Sequence, residues 1–449
     1  MIDLKKLRED PQRYREGAAK KRMDADIDRL LELDTQHREA LSEMERLRAE
    51  QNRLARETGP AIGKLSKQLK SAETEERQSI EKEIEALKAK PAELKEEIAS
   101  LDLRVDELGS ELHGLALHVP QPPDPDVPPG ESADDNVEKS TWHPDWFDPS
   151  RSFEENRGFP PRTHQELAHD LGLVDFERGV KLAGSRSYML TGDGMRLHQA
   201  ILRYAMDLIT ETHGFTPVSV PVLVREESMV GTGFFPHGRE QTYIIDEHQR
   251  GSEHDLYLTG TGEVGLMGYR ADEILDESAL PLKYATVSPC FRREAGAAGR
   301  EGAGLYRIHQ FDKVEQVVVC RADEQESRSW HARMIEIVEE LLRSLELPYR
   351  LLQCCAADLG PKNADMIDIE CWMPSRGELD GNDRPTGAYG ETHSASRLYD
   401  FQCRRLNLRY RPEGEKQTVF CHSLNNTVLA CPRILIPILV LYQNEVGTV

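Results

Sequence analysis

Apolar residues at alternating spacings of three and four recur through the first quarter of the chain, and few other patterns restrict a fold so tightly. Leu30, Leu33, His37, Ala40, Met44, Leu47, Gln51 and Leu54 form one series; Ile80, Ile84, Leu87, Pro91, Leu94, Ile98, Leu101, Val105, Leu108, Leu112 and Leu115 form a second. Such a seam keeps one stripe of a helix facing a partner helix, so two long helices are expected. Gly59, Pro60 and Gly63 lie after the first seam, turn chemistry that lets the second helix fold back antiparallel on the first, with the reversal between residues 59 and 79. Pro91 interrupts a seam whose phase continues beyond it, which predicts a kink within one helix. The stretch 118–136, HVPQPPDPDVPPGESADDN, is too rich in proline to extend that helix and sets a domain boundary near residue 120.

Beyond the boundary the pattern is mixed α and β. GMRLHQAILRYAMDLITETHG and SWHARMIEIVEELLRSLEL read as helices; FTPVSVPVLV, LKYATVS, YRIHQFDKVEQVVVC and DMIDIECWMP read as strands; RILIPILVLYQNE reads as a closing helix. Strands in hairpin-like succession, without regular βαβ alternation, favour an antiparallel sheet with helices packed on it. The 449 residues are enough for two or more domains. The start MIDLKKLRED has no apolar signal region and no run is long and apolar enough for a bilayer, so a cytoplasmic protein without a membrane partner is expected. All eight cysteines fall at or after Cys290 with no Cys-x-x-Cys pair, which argues for reduced thiols and against a zinc site.

The formal charge of -22 is uneven: residues 1–100 hold 22 Lys and Arg against 23 Asp and Glu, leaving 35 against 56 for the rest. Within the neutral front, residues 46–70 carry seven bases, Arg46, Arg48, Arg53, Arg56, Lys64, Lys67 and Lys70, against two acids. That cluster suits phosphates, although a charge run alone is more often a solvated helix face.

Residues 255–269, DLYLTGTGEVGLMGY, contain Gly260, Gly262 and Gly265 at the G-x-G-x-x-G spacing of a dinucleotide turn. Two features count against that reading. The following strand ends in SPCFRRE without the ribose-binding acid such a unit places there, and Glu263 inside the turn would repel a pyrophosphate. The segment Cys290–Gln316 carries more chemistry. Two strands around a Gly/Ala-rich loop can bring Arg292, Glu294, Arg307, Phe311 and Glu315 to one surface, where Arg offers a fork to phosphate and Phe a flat face to a base.

With these segments together, the sequence resembles the bacterial-type seryl-tRNA synthetases, a class II aminoacyl-tRNA synthetase family, almost from end to end. MIDLKKLREDPQRYREG is similar to that family's N-terminus and the helical hairpin to its tRNA-binding arm. Gly194 to Pro221 resembles motif 1, Arg292 to Glu315 motif 2, and HSLNNTVLACPRILIPILVLYQ, His422 to Gln443, motif 3. The resemblance implies an α+β chain: an N-terminal antiparallel coiled-coil hairpin domain over 1–117, a proline-rich linker over 118–136, and a class II antiparallel β-sheet catalytic domain flanked by helices over 137–449.

It also implies activation of L-serine by ATP, transfer to the 3′ end of tRNA(Ser), a homodimer through motif 1, and Mg²⁺. Carried over by position, Thr261, Gly262, Glu263, Glu315, Asn425 and Thr427 would hold serine. ATP would meet Arg292, Arg293, Glu294, Ile308, Phe311, Glu391, Thr392, His393, Ser394 and Arg433, with Arg292 and Arg433 acting on the phosphates. Glu391 and Ser394 would take the metal, and the seven bases at 46–70 would meet tRNA. A carboxylate at Glu263 makes sense for a substrate ammonium.

The pattern departs from the family at Gly260 and Gly262, where Pro and Ala are usual, and at Asn426 and Val428, where small residues are usual. KNADMI (362–367) also departs, RGELDGNDRPTGAYG has the character of an insertion, and the chain stops soon after motif 3. These changes are expected to loosen or crowd the amino-acid pocket more than the ATP site. Two other readings stay open here: a specialised paralogue that supplies seryl-tRNA to a secondary pathway, activates a serine analogue or resists an inhibitor, and a tRNA-binding protein without catalysis.

Overall fold

The structure is a computed structural model that describes residues 1–247, 251, 254–295, 304–377 and 385–449. Most of the Gly/Ala-rich loop of the motif 2 segment and part of the insertion-like stretch lie outside the described residues. The chain divides into two compact units, Ala25–Val119 and Met1–Asp24 with Pro120–Val449.

The first unit is a pair of long antiparallel helices, α1 (Ile27–Leu69) and α2 (Thr74–His118). Asp26 starts α1 by accepting from the Arg29 N–H. The two seams meet: Leu30, Leu33, Ala40, Met44 and Leu47 are buried from α1, and Ile80, Ile84, Leu94 and Leu112 from α2. At 43 residues α1 is about 65 Å long. The reversal falls at residues 70–73, and Gly59, Pro60 and Gly63 sit inside α1. A Cβ at Gly59 or Gly63 would meet nothing within 4 Å, so both lie on an open face. Pro60 removes one backbone hydrogen bond, a local cost that the helix packed against α2 absorbs. Pro91 likewise lies within α2.

In the second unit, eight strands form one sheet: β1 (Val137–Trp142), β2 (Thr216–Pro217), β3 (Leu282–Phe291), β4 (Gln310–Cys320), β5 (Tyr349–Gln353), β6 (Asp365–Met373), β7 (Ala388–Tyr399) and β8 (His422–Cys431). Their order is β1-β5-β6-β7-β8-β4-β3-β2, antiparallel throughout except the short β2, which runs parallel to β3. Three helices, α3 (Gly192–Asp207), α4 (Glu324–Ser344) and α5 (Leu435–Tyr442), pack on the sheet. Ile201 and Ala205 of α3, Val338 and Leu341 of α4, and Leu435 and Leu439 of α5 share a core with Val314, Val318, Ile369, Ala395 and Leu424 from the strands.

The proline-rich linker is tied to this unit. Gln121 N donates to Pro361 O at 2.8 Å and Asp124 N to Ala364 O at 2.8 Å. The Asp124 carboxylate is buried against Arg397 and accepts from Tyr399 Oη at 2.9 Å. All eight cysteines are free and buried, and no helix among the described residues is long and apolar enough to cross a membrane.

Candidate functional site

Strand periodicity builds the site. On β4, Val314, Gln316 and Val318 point towards the helices, where Gln316 Nε2 donates to Met334 O of α4 at 3.1 Å. Phe311, Lys313 and Glu315 share the opposite face. There a cleft of about 490 Å³ is lined by Arg292, Glu294, Ile308, Phe311, Glu391, Thr392, His393, Thr427 and Arg433, joined by Leu305, Tyr306, Lys313 and Ala430. Nearly all the residues assigned to ATP from the sequence therefore meet at one place.

Two irregularities in the sheet make this convergence possible. Glu391 pairs with Glu370 and His393 with Ile369, so Thr392 is an extra residue in β7, and three consecutive residues line one cleft. Val314 pairs with Leu429 and Glu315 with Thr427, so Val428 is the extra residue in β8. Thr427 and Ala430 then both reach the cleft, while Val428 turns into the core.

Arg292 is exposed towards this space, its guanidinium 5.3 Å from the centre of the Phe311 ring. Its backbone is pinned on both sides: Arg292 N donates to His309 O at 3.0 Å, and Arg292 O lies 2.9 Å from His309 Nδ1. Its side chain has a 3.4 Å hydrogen bond to Gly260 O and no acidic partner among the described residues. Arg433, 4.4 Å over the Tyr306 ring, donates to Tyr306 O at 3.2 Å and Glu391 O at 3.0 Å, with the Glu391 carboxylate 3.6 Å away. Glu294 has φ of 50°, a left-handed conformation that costs a residue with a side chain on the order of 1–3 kcal/mol, and accepts from Arg307 at 3.3 Å. Burial pulls the His393 imidazole down to about 3, so it is neutral at pH 7.

Arg293 and Ser394 do not line the cleft. Arg293 contributes a backbone N–H to Gln241 O at 3.0 Å. Ser394 lies opposite Asp368 and is hydrogen-bonded to it.

Next to the cleft is a buried polar cluster containing the residues assigned to serine. Lys313 forms an ion pair with Glu315 and donates to Thr261 Oγ1 at 2.8 Å and Thr427 Oγ1 at 3.5 Å. Glu263 opens the short helix Glu263–Gly268, and its carboxylate accepts from Lys362 Nζ at 2.6 and 2.8 Å, Gln402 Nε2 at 2.7 Å and Asn425 Nδ2 at 2.7 Å. Burial raises the pKa of Glu315, with Lys313 opposing the shift; burial lowers that of Lys362, with Glu263 opposing it.

Two expectations about the altered pocket are corrected. Gly262 is a close approach and not a loose hinge: a Cβ there would lie 2.5 Å from Thr286 Cγ2 and 3.1 Å from Ser288 Oγ on β3. Asn426 does not crowd the pocket. It follows Asn425 by one residue and so faces the other side of the sheet, where its amide donates to Met334 O at 3.0 Å.

The seven bases belong to the helical unit. Arg46 is paired with Glu43 at 2.6 Å, Arg48 with Asp102 at 2.9 Å and Arg53 with Glu57 at 3.2 Å. Arg56, Lys64, Lys67 and Lys70 are exposed and have no acidic partner among the described residues.

Comparison with known proteins gives the family. The chain matches the seryl-tRNA synthetase N-terminal domain over residues 1–123 and the class II tRNA synthetase core domain (G, H, P, S and T) over 243–442. It is 39% identical over 450 residues to the serine–tRNA ligase of Deinococcus radiodurans, covering 100% of this chain and 95% of that one. The chain belongs to the serine–tRNA ligase family. The same family includes seryl-tRNA synthetase from Pyrococcus horikoshii, solved with ATP, which superposes with a TM-score of 0.82 at 34% identity over 100% of this chain and 96% of that one. The cytoplasmic serine–tRNA ligase of Naegleria fowleri, solved with AMP, gives 0.76 at 28% identity over 97% and 90%.

For this member of the serine–tRNA ligase family, sequence reasoning missed Lys313, Lys362, Gln402 and Asp368. Lys313 was within reach, since it lies midway between Phe311 and Glu315 on one strand face. Lys362 lies in the KNADMI segment, already marked as unlike the family. Gln402 and Asp368 carried no local signal, because they reach the site only through strand pairing and the turn after β7.

Proposed function

We propose that the chain works as a serine–tRNA ligase, activating L-serine with ATP to seryl-adenylate and transferring the seryl group to the 3′ end of tRNA(Ser). One observation carries the reading: Phe311, Lys313 and Glu315, at alternate positions of β4, run from the ATP-type cleft into the buried cluster around Thr261 and Glu263. A nucleotide base on Phe311 and an amino acid beside Glu315 would therefore lie along one strand face.

In the first step a serine carboxylate oxygen attacks the α-phosphorus, the bond to the bridging oxygen breaks, and pyrophosphate leaves. Charge grows on the phosphate oxygens, and fixed cations there lower the barrier. Arg292, without an acidic partner among the described residues, suits the α-phosphate; Arg433, held by Tyr306 and Glu391, suits the γ-phosphate. Phe311 and Ile308 would hold the adenine, with Glu294 at its edge and Thr392 and His393 beside them. The chemistry needs no protein general base. Thr261, Glu263, Glu315, Asn425 and Thr427 would bind the serine ammonium and hydroxyl. A pocket built around a hydroxyl rejects analogues lacking it far better than an apolar slot does.

Magnesium fits the donors beside the cleft. Glu391 and Ser394 offer hard oxygen ligands. The neighbouring Asp368 carboxyl is held well above the usual carboxylate range by burial and by Glu391, and its Oδ1 has no hydrogen-bond partner among the described residues. A cation held there would neutralise phosphate charge.

Arg56, Lys64, Lys67 and Lys70, with Arg46, Arg48 and Arg53, would meet the tRNA backbone. A homodimer is supported by the exposed apolar Met195 and Tyr204 of α3 and by an open groove in which Leu202, Met206, Pro217 and Val287 lie among polar residues such as Arg203 and Glu211. A light-scattering mass of two chains is expected, and a fully active monomer at micromolar concentration would contradict the dimer. A cytoplasmic location suits the same activity. The activity itself is tested by incubating the full chain with ATP, labelled serine and bacterial tRNA: base-labile label on tRNA is expected, and its absence would refute the transfer step.

A further inference from the structure

Lys362 is a primary ammonium in the place where a substrate's ammonium would be received. Its Nζ lies 2.6 and 2.8 Å from the two oxygens of Glu263 and 3.9 Å from the centre of the Phe234 ring. A carboxylate on one side and an aromatic face on the other are what a pocket offers a cationic amine. Here the chain fills that place itself.

The residue is firmly presented. Lys21 Nζ grips the carbonyls of Gly360 at 2.8 Å and Asn363 at 2.6 Å, and the linker N–H groups hold those of Pro361 and Ala364. The Lys362 side chain is 12% exposed and that of Glu263 4%. Charge counting points the same way. Glu315 already has Lys313, and Glu263 has Lys362, so two buried carboxylates face two ammonium groups. A substrate ammonium entering beside these two carboxylates finds each already paired with a lysine. Gln402 and Asn425 also donate to Glu263 Oε1, so that oxygen accepts three hydrogen bonds, and Oε2 accepts from Lys362.

We propose that Lys362 is a specificity-determining residue of the amino-acid pocket, competing with the substrate's α-ammonium for Glu263 and opening the pocket to 2-hydroxy acids that keep serine's carboxylate and side-chain hydroxyl. This rests on the serine-activating reading of the site. The simplest such acid is L-glycerate, with a hydroxyl where serine has its ammonium. Its activation balances as serine's does: a carboxylate oxygen bonds to the α-phosphorus, pyrophosphate leaves, and nothing is oxidised or reduced.

The experiment compares ATP–pyrophosphate exchange driven by L-serine and by L-glycerate in the parent and in Lys362→Met, which keeps most of the stem and loses the charge. In the variant the serine KM should fall tenfold or more, and the ratio of kcat/KM for serine over glycerate should rise tenfold or more. An unchanged KM for ATP would report an intact site. A serine KM within threefold of the parent's, or a higher one, would overturn the role of Lys362. The parent alone supplies a second measurement that does not depend on the variant folding. A pocket relying on the ammonium would reject glycerate by about 10⁴ to 10⁵; discrimination below about 10³ supports the proposal, and discrimination above it overturns it. Exchange with neither acid, in parent and variant alike, would overturn the serine-activating reading together with this proposal. Serine exchange that ignores the substitution would overturn only the proposal.

Discussion

Arg292→Ala should lower serine-dependent ATP–pyrophosphate exchange by about 10² or more, the scale of losing one preorganised donor to a developing charge, about 2.7 kcal/mol. The size follows from the surroundings of Arg292. Its guanidinium opens onto the cleft beside Phe311, its backbone is fixed through His309, and no acid among the described residues neutralises it. Arg433, the other arginine lining the cleft, is already tied to Tyr306 and Glu391. The loss should fall on kcat, with the serine KM little changed, since the serine cluster is built from other side chains. Exchange within about threefold of the parent would exclude this role.

The second large effect separates the two units. Removing residues 30–112 and bridging the gap with a short flexible linker should leave serine-dependent exchange largely intact, because every side chain of the cleft and the polar cluster lies in the other unit. Charging of tRNA should collapse. Arg56, Lys64 and Lys67 on α1 and Lys70 at its C-cap are exposed and have no acidic partner among the described residues, and phosphate contacts of this kind carry a steep salt dependence. The full chain's KM for tRNA should therefore rise with salt while its KM for ATP changes little. A truncated protein that charges tRNA as well as the full chain would remove the arm from the account.

The helical unit was legible because a seam of alternating three and four spacing has few other solutions, and the cores of α1 and α2 use those positions. The turn was harder to place. Gly59, Pro60 and Gly63 are strong local signals, yet the packed helix runs through them to Leu69. In the catalytic unit, strands with apolar alternation such as β3 and β4 could be read directly. β7 could not: AYGETHSASRLY is polar, and it is held as a strand by pairing on both sides and by the buried network of Arg397 with Asp124 and Asp365.

At the site, the ATP-type residues stood out because arginine, glutamate and phenylalanine around one loop form a recognisable set. The state of the amino-acid pocket was hidden. Whether Glu263 meets a substrate or a lysine depends on a segment almost a hundred residues away, and no local pattern carries that contact. The packing need at Gly262 was equally hidden, since it is imposed by Thr286 on β3.

The most direct test of the central claim is ATP–pyrophosphate exchange by the full chain with serine, threonine, alanine and cysteine offered separately. The account predicts exchange with serine well above that with each of the other three, and its loss in Arg292→Ala. Exchange driven best by threonine, alanine or cysteine, or by no amino acid from a protein that still binds ATP, would contradict it.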